Sequence, residues 1–227
     1  MKTFNIIPDI HGRTNWETFV DPKLTNVFLG DYVDSFDVDD VTIVKNLKNI
    51  ITFKKDVPET ILLLGNHDMQ YMFSYLKYGC SGYRQKLYVK LNLIFNKHKK
   101  LFNLAYQYNN YLFTHAGLSS YCWGKYCKYY QSKSLSEMEG NYADNINIAW
   151  ESEKLLDILM SVGTARGGYE NTGGIVWCDK REIKAYPLTD IKQVVGHTPI
   201  EDSPIWVDDV YFTDCYNTNP QKIIINV

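Results

Sequence analysis

The chain has 227 residues, 45% of them apolar, and a formal net charge of −2, enough for a substantial core in one domain carrying an insertion. That balance, with no long block of one sign, gives no electrostatic footprint for nucleic acid or for an anionic membrane. No apolar run approaches the ~20 residues that span a bilayer, and the opening "MKTFNIIPDIHG" is interrupted by Pro8 and Asp9 too early to read as a secretory segment.

"TFNII" (3–7) reads as a first buried strand, already ending at Pro8, which cannot donate to a ladder. "NVFLG" (26–30) is a second. "DDVTIVKNLKNIITFKK" follows, with Val41, Val44, Leu47 and Ile51 at helical spacing. "TILLLG" (60–65) is a third strand, and "RQKLYVKLNLIFNKHKKLF" a helix with Leu87, Leu91, Ile94 and Leu101 on one face. "NYLFT" (110–114) and "KQVVG" (192–196) are further strands, with "INIAWESEKLLDILMSV" a helix between them. The tail "VYFTDCYNTNPQKIIINV" reads as a hairpin turning at Asn217 to Pro220. Strands alternating with helices predict an α/β layered fold. The tyrosine-rich stretch 70–165 reads as a mostly helical insertion in a single domain, 1–227. The five cysteines form no C-x-x-C pair, so free thiols in a reducing, cytoplasmic setting are expected.

Of five histidines, His11, His67, His115 and His197 each directly follow an apolar strand, as do Asp9, Asp31 and Asn66. In open α/β sheets ligands bind beyond the carboxyl ends of strands, so these strands deliver metal-type donors to one edge. His98, within "NKHKK", reads as a helix-surface residue. Asp9 and His11, two apart, share one side of an extended backbone. The mixed oxygen and nitrogen donors suit Mn, Fe, Zn or Ni rather than calcium. Two ions about 3.5–4 Å apart need a bridging ligand, and Asp31 is the natural one.

The ordered set "DIHG" (9–12), "GDYVD" (30–34), "GNHD" (65–68), "THAG" (114–117) and "VGHTP" (195–199) resembles the calcineurin-like metallophosphoesterase superfamily, closest to its phosphoprotein-phosphatase and diadenosine-tetraphosphatase branch. The resemblance implies a two-sheet β-sandwich flanked by helices, with a dinuclear centre at one edge. Asp9, His11 and Asp31 would hold one ion, and Asp31, Asn66, His115 and His197 the other. His67 would be the general acid, oriented by Asp34. A bridging hydroxide would attack phosphorus in line, and His67 would protonate the leaving oxygen. The implied substrate is a phosphomonoester, foremost a phosphoserine or phosphothreonine protein. A dinucleoside polyphosphate or other nucleotide is the alternative, its base stacking on the aromatics of "SSYCWGKYCKYY" (119–130). A third reading is a metal-binding scaffold without catalysis, disfavoured by the intact His67 and Asp34.

The branch usually continues "GDYVD" with Arg-Gly, the arginine contacting phosphate, whereas here Ser35 and Phe36 follow. Another cation must take that role. Arg166, in "TARGGYENTGG", is the first choice, Arg181 the second and Arg13 the third. Arg84 reads as a solvated surface charge.

Overall fold

All five expected strands form, each built from branched or aromatic side chains that are buried on one or both faces. The computed structural model describes residues 1–73, 75–133, 138 and 140–227, Tyr75 by its backbone alone. The chain divides into two compact units. One comprises Met1–Asn103, Pro199–Pro204 and Thr213–Val227, and the other Leu104–Thr198 and Ile205–Phe212. The architecture is mixed α/β, with two sheets and their flanking helices.

In the first unit, numbering along the chain, β1 (Thr3–Ile7), β2 (Thr25–Phe28), β3 (Ile61–Leu63) and β4 (Phe102–Asn103) run parallel, and β10 (Ile223–Asn226) lies antiparallel to β1. The order is β10-β1-β2-β3-β4. Helix α1 (Asp40–Asp56) starts at Asp39, whose carboxylate accepts from the N–H groups of Val41 and Thr42. α2 (Asn66–Met72), α3 (Tyr75–Tyr78) and α4 (Tyr88–Lys97) complete this unit. In the second, β5 (Tyr106–Tyr108), β6 (Tyr111–Phe113), β7 (Lys192–Val195), β8 (Ile205–Val207) and β9 (Val210–Phe212) pair in the order β5-β6-β7-β9-β8. Its helices are α5 (Ser120–Ser132), α6 (Tyr142–Asn147), α7 (Glu153–Leu159) and α8 (Lys180–Ala185).

Four details differ from the sequence reading. Val41 sits in the capped first turn of α1 and is exposed, while Ile43, Val44, Leu47, Ile50 and Ile51 are buried. The buried seam through α4 is Leu87, Leu91 and Phe95, because Phe95 packs its ring on Phe102 and turns Ile94 aside. The helix expected over 146–162 is broken at Ser152, whose extended backbone and side chain cap α7. The tail is not a hairpin. β9 pairs with β7, and β10 pairs with β1, where Ile223 and Ile225 alternate inward. Near the tail, β8 and β9 form a hairpin turning through Asp208 at φ 52°.

No described helix is long and apolar enough to cross a membrane.

Beyond β2 and β3 the backbones approach closely. A Cβ on Gly30, at φ +110°, would lie 2.4 Å from the Gly65 nitrogen, and one on Gly65 would lie 2.1 Å from Asp31 Oδ1. Gly65→Ala should therefore cost about 2 kcal/mol or more by overpacking, lowering Tm by roughly 4–8 °C. Gly124→Ala in α5, where a Cβ meets nothing within 4 Å, should leave Tm unchanged or raise it slightly. Equal Tm for the Gly65 variant and the parent in a thermal melt would refute the close approach.

Candidate metal centre and general-acid dyad

In the first unit Asp9, His11, Asp31, Asp34, Asn66 and His67 stand at the ends of β1, β2 and β3 or in the first turn of α2. His11, Asp31 and Asp34 have positive φ (47°, 52° and 60°), so Asp9 and His11 do not share an extended strand. His197, in the second unit, also has positive φ, at 59°. Among the described residues only Asn109 and Asp208 are the other non-glycine cases, so this uncommon geometry concentrates on the candidate residues.

The His11 Nδ1 lies 2.8 Å from the Asp34 carbonyl oxygen. A carbonyl only accepts, so Nδ1 carries the proton and Nε2, 3.8 Å from Asp31 Oδ2, keeps its lone pair for a ligand. Burial holds the His11 pKa below its usual value despite the neighbouring Asp31 charge, which keeps the imidazole neutral, the form that binds metals.

Asp31 Oδ1 accepts the His67 N–H at 2.9 Å. Asp68, fully buried, braces the turn. Its carboxylate accepts from the N–H groups of Asp31 (2.8 Å), Tyr32 (2.9 Å) and Gly65 (2.9 Å). Burial and then the Asp31 charge drive the Asp68 pKa well above the carboxylate range. Asp214 is buried too, its Oδ1 has no hydrogen-bond partner, and burial followed by Asp31 pushes its pKa to about 7, against the pull of Arg13. So many buried carboxylates near one imidazole edge are costly without countercharge. His11, Asp31 and His67 offer donor atoms within 4.8 Å of one another. This donor chemistry fits divalent ions with mixed O and N preference.

Beside those donors is a dyad. His67 Nδ1 is 3.2 Å from Asp34 Oδ2. The Asp34 carboxylate also accepts from Gln70 Nε2 and the Tyr71 hydroxyl, and Tyr71 accepts the Arg84 N–H at 2.7 Å. Burial opposes a charge on His67, yet Asp31, the Asp34 hydrogen bond and Cys80 outweigh it and raise the pKa to about 12. Burial raises the Asp34 pKa, with the His67 and Tyr71 hydrogen bonds working against it.

Sequence reasoning missed three supports. Gln70 and Tyr71 lie three and four positions beyond His67 in α2, a spacing that puts them on its face. Asp68 stands at the third position of the same helix, suited to bond the preceding backbone. Arg84 is not a solvated charge. Its guanidinium donates to the carbonyls of Ser35 and Val38 and pairs with Asp40. Ser35 itself is buried and closes a turn, its hydroxyl donating to Asp37 at 2.5 Å. Arg13 reaches Asp37 at 3.6 Å and the Ile10 carbonyl at 3.4 Å.

In the second unit, His115 Nε2 and His197 Nδ1 converge to 3.2 Å, and Trp177 meets the His197 ring edge-on. The Gly196 N–H donates to the His115 carbonyl at 2.8 Å. Arg166 and Arg181 share one carboxylate. Arg166 Nε is 3.0 Å, and Arg181 Nε 2.8 Å, from Asp179. Arg166 also donates to Thr198 Oγ1 at 3.0 Å, next to His197, whereas Arg181 is 74% exposed. The glycine-rich loop around Arg166 is pinned by buried Glu182, which accepts from the N–H groups of Ala165 and Gly173. The aromatics of α5 largely pack on one another. Trp123 stacks on Tyr126 at 5.4 Å and 8°, and Tyr126 and Tyr130 are buried. His98, at the carboxyl end of α4, is partly exposed.

Crystal structures of protein phosphatases share this fold. A cold-active protein tyrosine phosphatase gives a TM-score of 0.58 at 17% identity, covering 94% of this chain and 70% of that one. A further structure of such an enzyme, from a psychrophilic Shewanella, gives 0.56 at 16%, covering 94% and 71%. A Saccharomyces cerevisiae protein serine/threonine phosphatase with similarity to human phosphatase PP5 gives 0.50 at 19%, covering 94% and 67%. No curated protein matches the chain. The model of the calcineurin-like phosphoesterases matches residues 3–213, a span that takes in every donor and the dyad. The chain therefore belongs to the calcineurin-like phosphoesterase family and is a metal-dependent phosphoric ester hydrolase.

Proposed function

We propose that this chain is a dinuclear phosphomonoesterase that dephosphorylates phosphoserine or phosphothreonine in proteins. The observation that carries the reading is the buried His67–Asp34 dyad set against the His11 and Asp31 donors. Asp9, His11, Asp31, Asn66, His115 and His197 are proposed as ligands of two divalent ions, manganese or else iron, zinc or nickel, with Asp31 bridging. Once bound, such a pair supplies an activated water and neutralises phosphoryl oxygens. The chain's own part is orientation and proton delivery. Asp34 holds the Nδ1 proton, which leaves Nε2–H of His67 for the leaving oxygen. A cation held by Asp31 would offset part of the Asp31 charge that favours protonated His67. A reducing, cytoplasmic setting accords with five free cysteines.

Arg166 is proposed as the principal phosphate clamp, with Arg181 second and Arg13 third. Its support is the bond to Thr198 beside His197 and the rigid loop that carries it. Tyr126 and Tyr130 of α5 are buried and out of reach of a base, whereas Tyr121 is exposed and packs on Tyr186, so the nucleotide alternative stands as the second reading.

Three measurements test this. Metal analysis of purified variants should find both ions depleted in Asp31→Asn and mainly one in Asp9→Asn, and two ions at full occupancy in the Asp31 variant would remove the bridge. His67→Ala should slow hydrolysis of an alkyl phosphate by about 10²–10⁴-fold and of a nitrophenyl phosphate far less, because only the poor leaving group needs a proton. Equal losses would assign His67 to the metals or the fold. With phosphoserine peptides as substrate, Arg166→Ala should lower kcat/KM roughly tenfold or more without changing metal content. Faster turnover of dinucleoside polyphosphates than of phosphopeptides by the parent enzyme would favour the nucleotide reading.

A further inference from the structure

Cys80 lies in the segment after α3, which returns to the face of α2 that carries the dyad. Its N–H donates to Gln70 Oε1 at 3.1 Å, and its Sγ is 3.8 Å from the Asn66 carbonyl oxygen. Gly82, at φ +77°, brings the segment alongside the dyad. A Cβ there would lie 3.4 Å from Asp34 Cβ and 3.8 Å from His67 Cε1. As a result Asp34, His67 and Cys80 offer a carboxylate oxygen, an imidazole nitrogen and a sulfur that all lie within 4.8 Å of one another.

That trio differs in kind from the donors assigned above, which contain no sulfur. Hard ions prefer oxygen, while a thiolate selects zinc or cadmium, which take three protein ligands and a water in tetrahedral geometry. The outer support such a site needs is present, since Gln70 and Tyr71 hold the Asp34 carboxylate in place. We propose that Asp34, His67 and Cys80 form a separate site for a thiophilic divalent cation, zinc in the first instance, whose occupancy inhibits the enzyme. Binding releases the thiol proton and the imidazolium proton to solvent. The imidazolium proton lost is the one on Nδ1, the nitrogen facing Asp34, so Nε2–H would remain on a neutral imidazole too weakly acidic to protonate the leaving oxygen, with the orienting carboxylate engaged by the ion. The inhibitory consequence rests on the general-acid reading of His67, whereas the binding does not.

Cadmium titration of the metal-loaded protein tests the site through the ultraviolet thiolate-to-cadmium charge-transfer band, to which the Asp, His and Asn ligands contribute nothing. One equivalent should saturate the band in the parent. Cys80→Ser should abolish it, and Cys127→Ser, which changes the other partly exposed thiol, should keep it. One equivalent of cadmium on the unmutated protein should also slow alkylation of Cys80, mapped by mass spectrometry, roughly tenfold or more while sparing Cys127, a result that needs no variant to fold. Zinc should inhibit the parent, and the half-inhibitory concentration should rise roughly tenfold or more in Cys80→Ser. A band that survives in Cys80→Ser, no band in the parent, or unprotected Cys80 overturns the site. Those outcomes leave the phosphatase reading standing, and absence of phosphatase activity would leave the band and the alkylation result equally decisive.

Discussion

The first unit is organised around negative charge that water cannot reach. Asp9, Asp31, Asp34, Asp68 and Asp214 are all buried in it, and burial first, with the Asp31 charge adding to it, raises the pKa of Asp34, Asp68 and Asp214. Three of these carboxylates meet different partners. Asp68 is solvated by three backbone N–H groups and Asp34 by an imidazole, an amide and a phenol, while Asp31 accepts the His67 N–H. Backbone dipoles solvate a charge without neutralising it. Buried carboxylates this close to one another favour a cationic partner, which accords with the ligand role proposed for Asp31.

Backbone geometry follows from the same demand. To aim short carboxylates and a fixed imidazole tautomer at one volume, the chain bends at His11, Asp31 and Asp34 into the left-handed region, at a cost of order 1 kcal/mol each. Gly30 and Gly65 allow the turns after β2 and β3 to touch, which puts Asp31 Oδ1 over the Gly65 Cα. Compact hydrogen bonding then locks what sterics resist, with Asp68 spanning both turns. Stability and function compete at these positions, and the large buried sheet β10-β1-β2-β3-β4 supplies the surplus that tolerates them.

Much of this was legible in the sequence, for a physical reason. Short apolar runs ending in Gly, Asp, Asn and His state both the strand and the chemistry at its end, so the five strands and the donors could be read together. What could not be read depends on competition between elements. Val41 fits the helical period as well as Val44 does, but the Asp39 cap fixes where α1 begins. Phe95 displaces Ile94 from the α4 seam because Phe102 lies in reach. β10 pairs with β1, more than 200 residues away in sequence, and no local pattern announces it. Arg84 looked like an isolated charge because its three partners lie in the 35–40 segment, far upstream.

Arg84 also clarifies what the substitution at Ser35 does. An arginine after Asp34 would need to leave the turn, whereas Ser35 can close it, buried and bonded to Asp37. The 35–40 segment is then tied from outside by a guanidinium that spends its donors on carbonyl oxygens and on Asp40, leaving little of it for a phosphoryl group. The cationic donors in the second unit are arranged in the opposite sense. Arg166 and Arg181 share a single carboxylate, Asp179, and Glu182 lies beside the same turn. Of the two, Arg166 is the more restrained, with its loop fixed by Glu182 and its Nη2 on Thr198, and a restrained guanidinium loses less entropy when it meets an anion. Under the proposed clamp role, the charge that the turn at Ser35 lacks would be supplied by this restrained arginine elsewhere in the chain, and the arginine pair on Asp179, rather than the loop after Asp34, would set phosphate affinity.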